Sequence, residues 1–131
     1  MEFEHLVAHL QKRVPNLLAV YIFGSQVTEH ATAQSDVDVA VLLAGKLDPV
    51  QVWEISGELA DIAGVSVDLL DLRAASTIMQ YQVVTTGVRV WGQDLQVGLF
   101  ECFVLSEKTE LDTARAGLLA DIQKEGSVYG R

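Results

Sequence analysis

The sequence predicts an α/β (α+β) fold, a small mixed β-sheet flanked by helices, with further helices at the C-terminus. Short apolar runs of strand length alternate with segments whose apolar residues recur at helical spacing. Capping and turn residues stand between the two kinds of segment, and at 131 residues, half of them apolar, the chain is long enough for one real core. No internal repeat or low-complexity linker interrupts it, so residues 1–131 are expected to form one domain.

The elements follow in order. Phe3, Leu6, Val7, Leu10 and Val14 keep helical spacing until Pro15-Asn16. Leu17 to Phe23 (LLAVYIF) is an apolar run closed by Gly24, which suits a buried strand. Residues 25–35 are polar and small, a loop or a short helix. Val37 to Leu43 (VDVAVLL) is the second strand. Asp48-Pro49 reads as an N-cap followed by proline at the first helical position. Val52, Ile55, Leu59 and Ile62 carry that helix to a closing glycine, Gly64. Val65 to Leu72 (VSVDLLDL) is the third strand. Ala75, Ile78, Met79 and Val83 mark a helix ended by Gly87, and Val88 to Trp91 a short fourth strand. Two further apolar patches, Leu99–Val104 and Leu111–Ile122, read as terminal helices with a bend at Thr109-Glu110, and residues 126–131 as a frayed tail.

Composition narrows the function classes. The net charge is −9, with nine Lys and Arg against eighteen Asp and Glu. Phosphate backbones are gripped by basic side chains, so direct nucleic-acid binding, and with it an RNA-tailing activity, is not expected. A polyanion that does bind should be small and bring its own metal ions, and a basic partner protein suits the charge. Cys102 is the only cysteine, so no internal disulfide is expected; flanked by Glu101 and Phe103, it reads as a helix-packing residue. No apolar run reaches the length of a membrane span, and the opening MEFEHLVAHLQKR has no signal-peptide core, so the expected location is cytoplasmic.

Chemistry concentrates in Gly24-Ser25, ten residues, then Asp36-Val37-Asp38. A glycine at a strand end lets the backbone turn sharply and approach a ligand closely, and Ser25 adds a hydroxyl and an N–H. Such a turn offers donors to a phosphate. Asp36 and Asp38 are two apart at the mouth of a strand, so their carboxylates share a face. They repel each other unless a cation lies between them, and magnesium, which prefers carboxylate and phosphate oxygens, is the natural occupant. A triphosphate at Gly24-Ser25 would meet that metal in a geometry suited to in-line attack on phosphorus. A third carboxylate should come from a neighbouring strand, where Asp68 and Asp71 fall on opposite faces. Asp68 is favoured, because it lies within the apolar run, where an isolated charge needs a metal or partner. Asp71 stands at the end of that run and could cap the next helix. By chance, G-S-x10-D-x-D falls in about two chains in a thousand of this length, and placing both halves at strand ends sharpens the signal.

At these residues the sequence resembles the DNA polymerase beta-like nucleotidyltransferase superfamily. It looks most like the minimal nucleotidyltransferases, the antitoxin half of bacterial HEPN toxin–antitoxin pairs. Val67-Asp68-Leu69 looks like the family's third-carboxylate strand, and Gly87-Val88-Arg89-Val90-Trp91 resembles the stretch before its terminal helix. The resemblance implies the polymerase beta-like fold and transfer of AMP from ATP, with magnesium, onto a hydroxyl. It also implies that Gly24 and Ser25 bind the triphosphate, that Asp36, Asp38 and Asp68 hold the metals, and that Asp68 is the candidate base. The acceptor would be a tyrosine of a HEPN ribonuclease toxin, met in a hetero-oligomer. One departure stands out: the family's loop usually has Arg soon after the Ser, whereas this chain reads Gln26-Val27-Thr28-Glu29-His30.

The other residues weigh less. His5 and His9, four apart on the first helix, read as a solvated face rather than a zinc site. Trp53 and Trp91 read as core or interface. Two other functions fit the same residues. One is a small-molecule nucleotidyltransferase of the aminoglycoside-modifying kind, which would need a substrate-binding domain that 131 residues leave little room for. The other is a non-catalytic antitoxin that neutralises its partner by contact.

Overall fold

The computed structural model describes residues 3–24 and 36–129, with side chains as far as Leu118. Helix α1 (Glu4–Arg13) leads into β1 (Leu17–Phe23); β2 (Val37–Leu43), α2 (Pro49–Ala63) and β3 (Val67–Asp71) follow. After a single 3-10 turn at Leu72–Ala74 come α3 (Thr77–Thr86), β4 (Val88–Gly92) and a long α4 (Asp94–Tyr129).

The four strands lie in the order β3-β2-β1-β4. β1 pairs antiparallel with β2 and β4, whereas β2 and β3 pair in parallel across the α2 crossover, so the sheet is mixed. Helices cover both faces, which is why β1 and β2 read as nearly unbroken apolar runs. On one face, Leu6 and Leu10 of α1 and Ile55 and Leu59 of α2 pack on Val20, Ile22, Val37, Val39 and Val41. On the other, Val83 of α3 and Val97, Phe100 and Val104 of α4 pack on Ala19, Tyr21, Ala40 and Leu42. A register shift between Leu17 and Ala19 breaks the strict alternation and puts Leu17 and Val20 in the same core.

The local signals work as written. Asp48 and Gln51 form a reciprocal capping box at the start of α2, and α2 closes on Gly64 in the left-handed conformation. Ser76 caps α3 by accepting from the Met79 N–H. At Gly87 a side chain would meet the Val83 carbonyl at 2.6 Å, so only glycine lets α3 turn so tightly against β1.

Four expectations need correction. β3 is shorter than Val65–Leu72, because the Asp71 carboxylate accepts from the Arg73 N–H and coils the chain into the 3-10 turn. α4 is one continuous helix through Thr109-Glu110, not two helices that meet there. The Lys108–Asp112 pair spans that point, and the Thr109 hydroxyl donates to the Leu105 carbonyl within the helix. α4 also continues through Gly126 to Tyr129. Finally, Cys102 is exposed and so does not pack the helix. Among the described residues no helix is long and apolar enough to cross a membrane.

Candidate active site

Gly24 ends β1 with φ +77, a conformation that only glycine adopts without strain. It also has no room for a side chain: a Cβ there would sit 2.0 Å from Asp38 Oδ2. The Asp38 carboxylate is therefore packed directly on the Gly24 backbone. Two residues that stand fourteen apart in the sequence share one spot, because β1 and β2 are antiparallel and Phe23 faces Asp38.

On its other side β2 runs parallel to β3, and the register places Asp38 beside Asp68. Their side chains are within hydrogen-bonding reach, and Asp36, just before β2, adds its charge. Burial raises the Asp38 pKa above the ordinary carboxylate range, and the negative charge of Asp68, its hydrogen bond and the charge of Asp36 raise it further. Asp36 and Asp68 are exposed and Asp38 is half-buried. Ser25 and the Gln26–His30 segment lie outside the described residues.

Asp68 is not the isolated buried charge that its apolar run suggests, although its position suits the role. Asp68 is exposed: β3 is an edge strand, and alternation turns this side chain away from α2. Asp71 is the buried one, at 5% exposure, and it is fully employed. It accepts from the Leu47 N–H at 2.8 Å and from the Arg73 N–H at 3.1 Å. Asp71 thus fixes two backbone segments and faces away from Asp38.

The donor set fits a hard divalent cation. The charges that raise the Asp38 pKa, those of Asp68 and Asp36, are both carboxylates, and a cation among them would lower it. Among the described residues no three acidic, His or Cys side chains converge on one point as a ready-made cage. That is the usual situation for magnesium, which is held by one or two carboxylates together with substrate phosphates. Asp36, Asp38 and Asp68 are the residues that would hold it.

The remaining side chains sort plainly. His9 is not simply solvated: its Nε2 lies 2.6 Å from Glu58 Oε1, and Arg13 Nε donates to the same oxygen at 2.8 Å, tying α1 to α2. His5 is exposed. Trp91 is partly buried against the core, whereas Trp53 is 77% exposed on α2.

A glycine turn packed against Asp38, with Asp68 in register beside it at the end of a mixed sheet, is an arrangement that suits a nucleotidyltransferase. The chain belongs to that family: residues 4–96 match Polymerase beta, Nucleotidyltransferase. It is 38% identical over 119 residues to Protein adenylyltransferase MntA of Shewanella oneidensis, covering 89% of this chain and 84% of that protein. Among solved structures it resembles a toxin–antitoxin complex with AMP-PNP, with TM-score 0.84, 34% identity, and coverage of 94% of this chain and 99% of the other. It also resembles a chain of the complex of tri-AMPylated Shewanella oneidensis HEPN toxin with MNT antitoxin, with TM-score 0.76, 34% identity, and coverage of 91% and 93%.

Proposed function

We infer that this chain is a protein adenylyltransferase that moves AMP from ATP to a tyrosine hydroxyl of a HEPN-family toxin and so acts as its antitoxin. The observation that carries the reading is Asp38, seated on Gly24 and facing Asp68, in a chain 38% identical to an adenylyltransferase along most of its length. The acidic surface suits a protein acceptor better than a nucleic acid. We place the protein in the cytoplasm as a single domain within a hetero-oligomer with its toxin.

In this reading the Gly24-Ser25 turn receives the triphosphate, and Asp36, Asp38 and Asp68 would hold magnesium, which neutralises phosphate charge when bound. The acceptor oxygen attacks the α-phosphorus and a new P–O bond forms. The bond from that phosphorus to the bridging oxygen breaks, and pyrophosphate leaves. Asp68, exposed at the sheet edge, takes the hydroxyl proton as general base. Asp38, held against Gly24, fixes the geometry of the set.

A competition experiment tests the proposal. The protein is incubated with labelled ATP and magnesium, the neighbouring gene's product and an aminoglycoside. Label on the protein partner is the expected result. Label on the aminoglycoside alone would replace the reading with small-molecule transfer, and neutralisation without label would replace it with inhibition by contact.

A further inference from the structure

Among the described residues β3 pairs with β2 alone, and its other edge carries no strand. The Ser66 carbonyl accepts from the Val37 N–H, which directs the Ser66 backbone toward β2. Alternation then sends the N–H and C=O groups of Val67 and Leu69 to the outer edge, where an extended chain could pair with them. Between this edge and α2 runs a groove of about 840 Å³, with Trp53, Gly57 and Asp61 on one wall and Ser66 to Leu69 on the other.

The lining states what the groove would take. Trp53 is 77% exposed while Ile55 and Leu59 of the same helix are fully buried, so its ring is surplus to the core. Glu54 and Asp61 give the α2 wall negative charge, whereas Glu58 is already engaged by His9 and Arg13. A nucleic acid would be repelled by these walls, as would a second copy of a chain carrying −9. A cationic peptide suits both the acids and the Trp53 face, which attracts Lys and Arg. The β3 wall includes Asp68, whose side chain turns to the opposite face of the strand beside Asp38; residues of a chain paired on that edge alternate between the two faces, so a neighbour of one that stacks on Trp53 falls on the Asp68 side.

We propose that the α2–β3 groove is the docking track for the acceptor: an extended, basic segment of the partner protein lies along the β3 edge, stacks on Trp53, and carries its tyrosine to Asp68. This rests on the protein-acceptor reading above and adds where, and in what conformation, the acceptor binds. Trp53 and Asp61 are binding residues of the track and do not touch the nucleotide.

Trp53→Ala and Asp61→Lys test it separately, since both positions are exposed and neither supports the core. AMP transfer is measured against partner concentration at saturating magnesium and ATP, with ATP affinity and Tm followed in parallel. In each variant the KM for the partner should rise at least about tenfold, as for the loss of an interface anchor, while saturated turnover, ATP affinity and Tm stay near wild type. A photo-crosslinking residue in place of Trp53 should capture the partner within a few residues of its modified tyrosine. Unchanged KM in both variants, or capture only at a distant surface, overturns the groove while leaving adenylyltransfer intact. Failure of the wild-type protein to label any protein overturns the proposed function, and the docking track with it.

Discussion

Replacing Gly24 by alanine perturbs the site at a point where backbone and carboxylate touch. The added methyl would lie 2.0 Å from Asp38 Oδ2, and real Cβ atoms essentially never come closer than 3.0 Å to a neighbour. Either the carboxylate or the end of β1 must therefore retreat by about 1 Å. The backbone at φ +77 adds a strain of about 1–2 kcal/mol for a residue with a side chain. That corresponds to a fall in Tm of roughly 3–8 °C in a domain of this size. A displacement of 1 Å in a catalytic group costs about a hundredfold in rate, so the loss of activity should far exceed the loss of stability. AMP transfer measured with Tm by differential scanning calorimetry, well below the variant's melting point, separates the two effects. A Gly24→Ala protein that transfers AMP at the wild-type rate would refute the claim that Gly24 positions Asp38.

The remaining predictions concern the carboxylates. Asp38→Asn should abolish transfer yet raise the Tm of the metal-free protein, because it removes repulsion by Asp68 and Asp36; an unchanged rate in that variant would count against its role. The pH dependence has a defined sign. Because the folded state raises the Asp38 pKa above its ordinary value of 3.8, its contribution to stability is complete below that value and is lost as pH rises through the raised one. The difference in Tm between metal-free wild type and Asp38→Asn should therefore widen with rising pH through this window and close when magnesium is added. Asp68→Asn should lose activity and keep its stability, whereas Asp71→Asn should keep activity and lose about 2 kcal/mol by weakening its bonds to the Leu47 and Arg73 N–H groups. Rates and melting temperatures of the two variants, measured together, decide between them.

Much of this was legible in the residues because the signals are local. The two central strands are apolar on both faces, and Asp48-Pro49 with Gly64 brackets α2. Asp36 and Asp38 declare themselves by standing at a strand mouth. What escaped depends on distance. The neighbours Asp38 and Asp68 are set by a parallel register formed across a whole helix, and Asp71, three residues on, differs only in which way its side chain turns. His9 and Glu58 meet from 49 residues apart. Polar Thr109-Glu110 suggests a break in α4, but the Lys108–Asp112 pair and the Thr109 hydroxyl's bond to the Leu105 carbonyl carry the helix across that point. Trp53 carried a usable signal: it falls outside the Val52, Ile55, Leu59 stripe, so an aromatic ring was predictable on the open side of α2.

The most direct test of the central claim is the intact mass of the HEPN partner after incubation with this protein, ATP and magnesium. The account predicts a gain in whole AMP units on a partner tyrosine, lost when Asp38→Asn replaces the wild type. A partner that is bound and silenced with its mass unchanged, or that gains AMP equally with Asp38→Asn, would contradict it.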